Sequence, residues 1–267
     1  MLFENLKIRD VNLKNRVVVS PMCQYSAKDG YVQTHHKTHY GQLAMGGAGL
    51  VFLEATGVTA QGRITNGCLG IWDDKQIDGL KEITQSIKVF GSIPAIQLAH
   101  AGQKASMQRP WHGNGPQTRI DTDRGDIIWE PIAPMDRPLD EGWLKPKKMD
   151  RKELDEVREA FVKAAERSIE AGFEVLEIHM AHGYLLHSFL SPLSNFRNDE
   201  YGGSIENRMR FPMEVVKKVR ERIGENIPLF VRISAEDGID GGWSIEDSVQ
   251  FCHILKEQGI DVVDCSS

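Results

Sequence analysis

Six short apolar runs, rich in β-branched residues, punctuate the chain at positions 16–20, 50–54, 94–98, 175–179, 229–233 and 261–264. They lack the strict alternation of a half-exposed strand, and near-continuous runs of this kind are what a parallel sheet covered on both faces requires. Between them, apolar residues recur at helical spacing. Positions 150–171 carry Leu154, Val157, Phe161, Ala164, Ala165 and Ile169 on one stripe, and 206–223 carry Met209, Met213, Val216, Val219 and Ile223. Gly172 and Gly224 follow these stripes as stop signals, and Ser204-Ile205-Glu206 and Ser244-Ile245-Glu246 read as helix starts.

Strand alternating with helix leaves two architectures, an open doubly wound sheet or a closed (β/α)8 barrel. Gln97, His179 and Arg232 each stand at the C-terminal end of a different strand, and Ser20-Pro21-Met22-Cys23 follows the first. Polar residues converging from many strand ends are how a barrel builds a site. A doubly wound nucleotide binder would carry GxGxxG after its first strand. Gly46-Gly47-Ala48-Gly49 instead precedes a strand and reads as a tight turn. The expectation is therefore an α/β chain, a single (β/α)8 TIM-barrel domain over 1–267, with about six of the eight β/α units legible and the C-terminal part of the barrel missing. Two segments stand outside the repeat. Positions 108–148 hold Trp111, Trp129 and Trp143 without a helical stripe and are expected to form a lid, and the turn-rich stretch 191–203 should lie at the same mouth.

Composition narrows the function classes. The formal net charge of −6 is spread along the chain, and Lys147-Lys148 and Lys217-Lys218 are too short to form a polyanion footprint, so nucleic acid is not an expected partner. No basic leader precedes an apolar segment and no apolar run nears membrane-spanning length, so a cytoplasmic protein without membrane attachment is expected. Cys23, Cys68, Cys252 and Cys265 are scattered and read as reduced thiols.

His179, His182 and Tyr184 follow the fourth strand. Two imidazoles three residues apart could bind a metal, form a satisfied structural pair, or donate hydrogen bonds to one substrate oxygen and stabilise an oxyanion as it forms. Against metal stand the absence of an adjacent carboxylate and the lack of nearby imidazoles other than His187. Tyr184 is either a packing residue or a general acid.

The motifs Ser20 through Ser26, Gln97 through Lys104, His179 through Pro192 and Asn198 through Arg208 together resemble the Old Yellow Enzyme family. The likeness is strongest to its thermophilic-like bacterial branch of NADPH dehydrogenases and xenobiotic reductases. The resemblance implies an FMN-containing barrel that takes hydride from NADPH or NADH and delivers it to the activated C=C bond of enals, enones, maleimides or nitroalkenes. It implies that His179 and His182 hold the substrate oxygen, with His179 also beside the cofactor, and that Tyr184 donates the proton. Tyr25 and Lys104 would lie on the substrate side. Cys23 would tune the flavin from its pyrimidine edge, Gln97 and Arg232 would hydrogen-bond the ring, and Ser20, Pro21, Met22 and Ala55 would line it. Kinship favours a homodimer or homotetramer acting on a small molecule. Gln103 stands where many relatives carry a basic residue, and the strands that would hold the FMN phosphate are not legible. Related flavin barrels with an iron–sulfur cluster are disfavoured because the cysteines do not cluster. A barrel that binds no flavin, with a non-enzymatic or partner-completed role, is the remaining alternative.

Overall fold

A computed structural model describes residues 1–266. All six expected strands form one parallel sheet: β1 (Val18–Val19), β2 (Leu50–Gly57), β3 (Ile93–Ala99), β4 (Val175–Met180), β5 (Leu229–Ser234) and β6 (Val262–Ser266). Spatial order follows sequence order, with each strand paired to the next. This succession of parallel β/α units is that of a (β/α)8 barrel. The first strand is shorter than expected, with only Val18 and Val19 laddered onto Leu50 and Val51.

Helices α1 (Thr34–Met45), α2 (Ile77–Lys88), α3 (Arg151–Glu170), α4 (Leu185–Leu190), α5 (Ile205–Ile223) and α6 (Ile245–Glu257) join the strands. The start signals act through side chains. Asp150 accepts from the Lys152 and Glu153 amides, Ser204 from Asn207 and Ser244 from Asp247; each satisfies amides that a helix start leaves unpaired. Gly172, at φ +89°, takes the left-handed turn just past α3.

The two faces of the sheet have different chemistry. Val51, Leu53, Ile96, Leu98, Leu176, Ile178, Val231 and Ile233 point outward into the main core beneath the helices. Their neighbours Leu50, Phe52, Ala95, Val175 and Phe230 point inward near the start of each strand. There they pack on Val11 and Leu13 from an N-terminal hairpin (Leu6–Ile8 with Val11–Leu13). Two residues further along, the inward positions turn polar: Gln97, Glu177 and then His179, Arg232 and Asp264. The hairpin thus supplies an apolar floor, and the polar layer begins above it.

The expected lid is more ordered than its sequence suggested. It contains a single turn at Pro110–His112, a short helix at Arg119–Asp123 and a small parallel pair, Ile132–Ala133 with Lys147–Lys148. Polar contacts hold it. Asp121 accepts from Gln108, Thr118 and Arg124, and Arg109 donates to Asp126. His112 joins Asp121 and Asp126 within reach of a shared cation, but these hydrogen bonds already occupy both carboxylates. Arg197, buried in the 191–203 turn, ties down the far end of the lid by donating to the carbonyls of Pro134 and Met149 while pairing with Asp199. No helix among the described residues is long and apolar enough to cross a membrane.

Candidate active site

The last inward positions of β4, β5 and β6 and the loop after β4 build one cluster. His179 is buried, and its Nδ1 accepts the Ala181 amide at 3.2 Å. Its proton therefore lies on Nε2, which faces His182 Nδ1 at 3.3 Å, while His182 Nε2 lies 2.8 Å from Ser266 Oγ. The two imidazoles are thus linked in series and cross at 87°. His182 adopts φ +62°, a left-handed conformation unusual for a side chain with a Cβ. Its amide is held by Ser234 Oγ at 2.9 Å and its carbonyl by Lys104 Nζ at 2.7 Å, and such strain persists only where surrounding contacts enforce it.

Burial lowers the His179 pKa well below its ordinary value. Burial also lowers His182, to about 4, with Arg232, His187 and Lys104 adding positive charge nearby. Both rings are neutral at pH 7. The Tyr184 ring stands edge-on to His179 at 5.0 Å, and Lys104 Nζ lies 5.8 Å from its centre. Among the described residues the Tyr184 hydroxyl makes no hydrogen bond to protein. Burial raises its pKa, and Cys23, Tyr25 and Cys68 add to the shift. Burial likewise lowers Lys104, so a lysine that could have been a solvated surface charge is a half-buried part of the cluster.

The loop after β1 carries Ser20, Pro21 and Met22 at the mouth and folds Cys23 and Tyr25 inward. These two join Tyr184, Met107 and Trp129 around Ile64, Cys68, Ala101 and Ala105. Tyr25 is also left-handed, at φ +50°. The Gln24 amide donates to Glu54 Oε2 at 3.1 Å, and the Ala27 amide donates to the carbonyl of Gly67 at 2.8 Å. Glu54 is the extra residue of a bulge in β2, because pairing with β3 jumps from Leu53 to Ala55; bulges recur beside active sites because they re-aim side chains. Burial pushes the Cys23 thiol and the Tyr25 phenol above their ordinary values.

On the inner wall, Ala55 is in register with Gln97, Gln97 with Glu177, and His179 with Arg232. Arg232 Nε lies 3.4 Å from Asp264 Oδ2 without hydrogen-bonding geometry, so this buried donor is orphaned. A cation with a spare donor, the Gln97 amide and the neutral imidazoles converge above the apolar floor. These groups suit a flat heterocycle that carries imide donors and acceptors and gains negative charge on reduction. Of the residues named from the sequence, Tyr25, Cys23, Lys104 and Tyr184 gather on one side of His179, and Gln97 and Arg232 stand on its inner wall. Sequence reasoning missed Glu177, Glu54, Ser234 and Ser266. For Glu177 a signal existed, since it is two residues before His179 and so on the same strand face.

The sequence profile of NADH:flavin oxidoreductases and NADH oxidases matches residues 1–267. The chain belongs to that family. It is an oxidoreductase of the Old Yellow Enzyme type, with FMN as cofactor and a nicotinamide dinucleotide as reductant. An NADPH dehydrogenase of Bacillus cytotoxicus is 48% identical over 268 residues, spanning 100% of this chain and 71% of that protein. An Old Yellow Enzyme homologue from Zymomonas mobilis superposes with TM-score 0.83 at 26% identity, over 99% of this chain and 72% of that one. A 2-naphthoyl-CoA reductase superposes with TM-score 0.88 at 25% identity, over 99% of this chain but only 40% of the other.

Proposed function

We propose that this flavin oxidoreductase is an ene-reductase, reducing the C=C bond of enals, enones, maleimides or nitroalkenes at the expense of NADPH or NADH. The observation that carries the reading is the set of groups at the end of β4 and just beyond it: two neutral imidazoles in contact, and a phenol with an unspent hydroxyl whose ring centre lies 5.0 Å from that of His179. FMN, when bound, supplies hydride to the β-carbon of the substrate. His179 and His182 hold the carbonyl or nitro oxygen, so the negative charge that develops there meets oriented donors rather than water. For both rings to donate to one oxygen, His182 carries its proton on Nδ1 and accepts from the Ser266 hydroxyl at Nε2. Ser266 Oγ, 2.8 Å away, can turn to donate, because a hydroxyl serves either role.

Tyr184 then gives its proton to the α-carbon. Lys104, whose ammonium lies over the ring, lowers the cost of the transient phenolate. Tyr25 and Lys104 border the substrate, and Ser20, Pro21, Met22, Cys23, Ala55, Gln97 and Arg232 border the cofactor. The test is anaerobic. Protein loaded with FMN should bleach with NADPH or NADH and recover its absorbance when cyclohexenone is added, and failure to bleach with either dinucleotide rules the reading out. Loss of phenol binding in His179→Ala, followed by the flavin charge-transfer band, is the expected mark of the oxygen-binding role. Unchanged phenol affinity would contradict it.

A further inference from the structure

Glu177 is an inward residue of β4 with no exposed surface, and the chemistry proposed above does not use it. Its Oε1 accepts from Gln97 Nε2 at 2.8 Å across the β3–β4 ladder, where the two residues are in register. Its Oε2 is buried without a partner. It forms no ion pair among the described residues, since the nearby Arg232 is turned to Asp264. A buried, half-satisfied carboxyl group is costly to keep, and an apolar residue would pack this layer at lower cost.

The Gln97 amide explains what the acid contributes. The two ends of a glutamine amide have nearly the same shape and opposite hydrogen-bonding character, so only a neighbour that solely accepts or solely donates fixes its direction. The ionised carboxylate of Glu177 can only accept, so it admits the Gln97 NH2 group and excludes the carbonyl oxygen, whereas the neutral acid could also donate and would not fix the amide. Burial, with Asp264 adding to it, pushes its pKa up to about 8, so the orienting carboxylate predominates above that pH.

We infer that Glu177 is a positioning residue, which turns the Gln97 amide so that its carbonyl oxygen, and not its NH2 group, faces the cofactor side of the barrel. Gln97 Oε1 has no protein partner among the described residues and presents an acceptor to that space. The wall is thereby selective for a ring that offers an N–H donor at this point, as the imide N3–H of an isoalloxazine does, and rejects one that offers only a carbonyl or an N-alkyl group. This inference rests on the flavin reading above.

The test compares the dissociation constants of FMN and 3-methyl-FMN at about pH 9, where Glu177 is ionised, read by quenching of flavin fluorescence, for the wild type and for Glu177→Leu, Glu177→Gln, Gln97→Leu and the double variant Glu177→Leu/Gln97→Leu. The wild type should favour FMN by roughly tenfold or more, the worth of one buried hydrogen bond plus the penalty of an unpaired partner. In Glu177→Leu the ratio should fall towards one. In Glu177→Gln, which keeps the side-chain shape but can donate as well as accept, it should be intermediate. The double variant should lose no more discrimination than either single variant, because both act through one contact. A merely structural acid would change stability and leave the ratio intact, and a wild-type ratio in both Glu177 variants overturns the inference. Wild-type protein that binds FMN and 3-methyl-FMN equally overturns it while sparing the flavin reading; wild-type protein that binds neither overturns both.

Discussion

Tyr184→Phe separates the proton donor from the rest of the site. The ring is held edge-on to His179 at 5.0 Å and packs with Tyr25, Cys23 and Trp129, and all of this survives in phenylalanine. Because the hydroxyl makes no hydrogen bond to protein among the described residues, its removal orphans no buried partner, and folding stability should change by less than about 1 kcal/mol. Hydride transfer from the dinucleotide to the flavin involves no proton from Tyr184, so flavin bleaching should stay within about twofold of wild type. Reoxidation by cyclohexenone depends on the general acid, whose loss is worth about 10²- to 10⁴-fold, or roughly 3–5 kcal/mol of barrier. Anaerobic stopped-flow measurement of the two half-reactions gives both numbers from one preparation. Equal slowing of both would mean that Tyr184 shapes the site without donating a proton. Unchanged reoxidation would place the donor elsewhere.

Three further outcomes follow from the same geometry. Arg197→Met strands the buried Pro134 and Met149 carbonyls, so it should destabilise the protein by about 2–4 kcal/mol; faster amide exchange across 132–149 is the local mark, and native exchange there would contradict the clamp. Gly67→Ala drives a Cβ into the Tyr25 carbonyl oxygen, so it should weaken phenol binding several-fold through displacement of Tyr25 and Cys23; wild-type affinity would show that the loop yields freely. Burial lowers His100 to about 3 and His182 to about 4 from 6.5, so the unfolded chain binds more protons over this range, and the stability these groups confer, fully present above pH 6.5, is lost as pH falls through it. Glu177, raised to about 8, acts in the opposite sense, its contribution present below the ordinary carboxylate range and lost as pH rises through 8. Urea midpoints between pH 7.5 and 4.5 should therefore fall towards acid, and fall more steeply in Glu177→Leu; a flat profile would show that the imidazoles are solvated.

The sheet was legible because its strands are buried on both faces, which turns their sequences into apolar runs, and because each run ends in the polar residue that its strand delivers to the mouth. Other elements gave no such signal. Helix α1 buries His36, Tyr40 and Ala44 one turn apart, a stripe that hydropathy does not register. The N-terminal hairpin has strands of three residues each, too short to show a period. The lid owes its order to Asp121, Arg109 and Arg197, which tie it through Gln108, Asp126 and the Pro134 and Met149 carbonyls, partners more than a helical turn away, so its composition reads as loop. Within the site, His179, His182 and Tyr184 sit in one hexapeptide and could be read together. Ser234 and Ser266, which hold His182 from the ends of β5 and β6, are brought to it only by the fold.

Strand parity links these observations. Along β4 the inward residues run Val175, Glu177, His179, from the apolar floor to a buried acid to the imidazole proposed to hold the substrate oxygen, in two pleats. Along β5 Phe230 gives way to Arg232 in one. Each polar residue is therefore flanked in sequence by outward residues locked in the main core, Ile178 beside His179 and Val231 beside Arg232, so it cannot shift without disturbing helix packing. The Gln97 and Arg232 contacts inherit this rigidity. His182 and Tyr184, beyond the last ladder pair, do not, and their placement depends on the strained turn at His182 and on the two hydrogen bonds that hold it. Ser234→Ala, which removes one of those bonds, should for that reason weaken the oxygen clamp while leaving FMN binding unchanged. Titration with a phenol and with FMN on the same variant distinguishes the two, and a parallel loss of both affinities would show that clamp and cofactor wall are not mechanically separate.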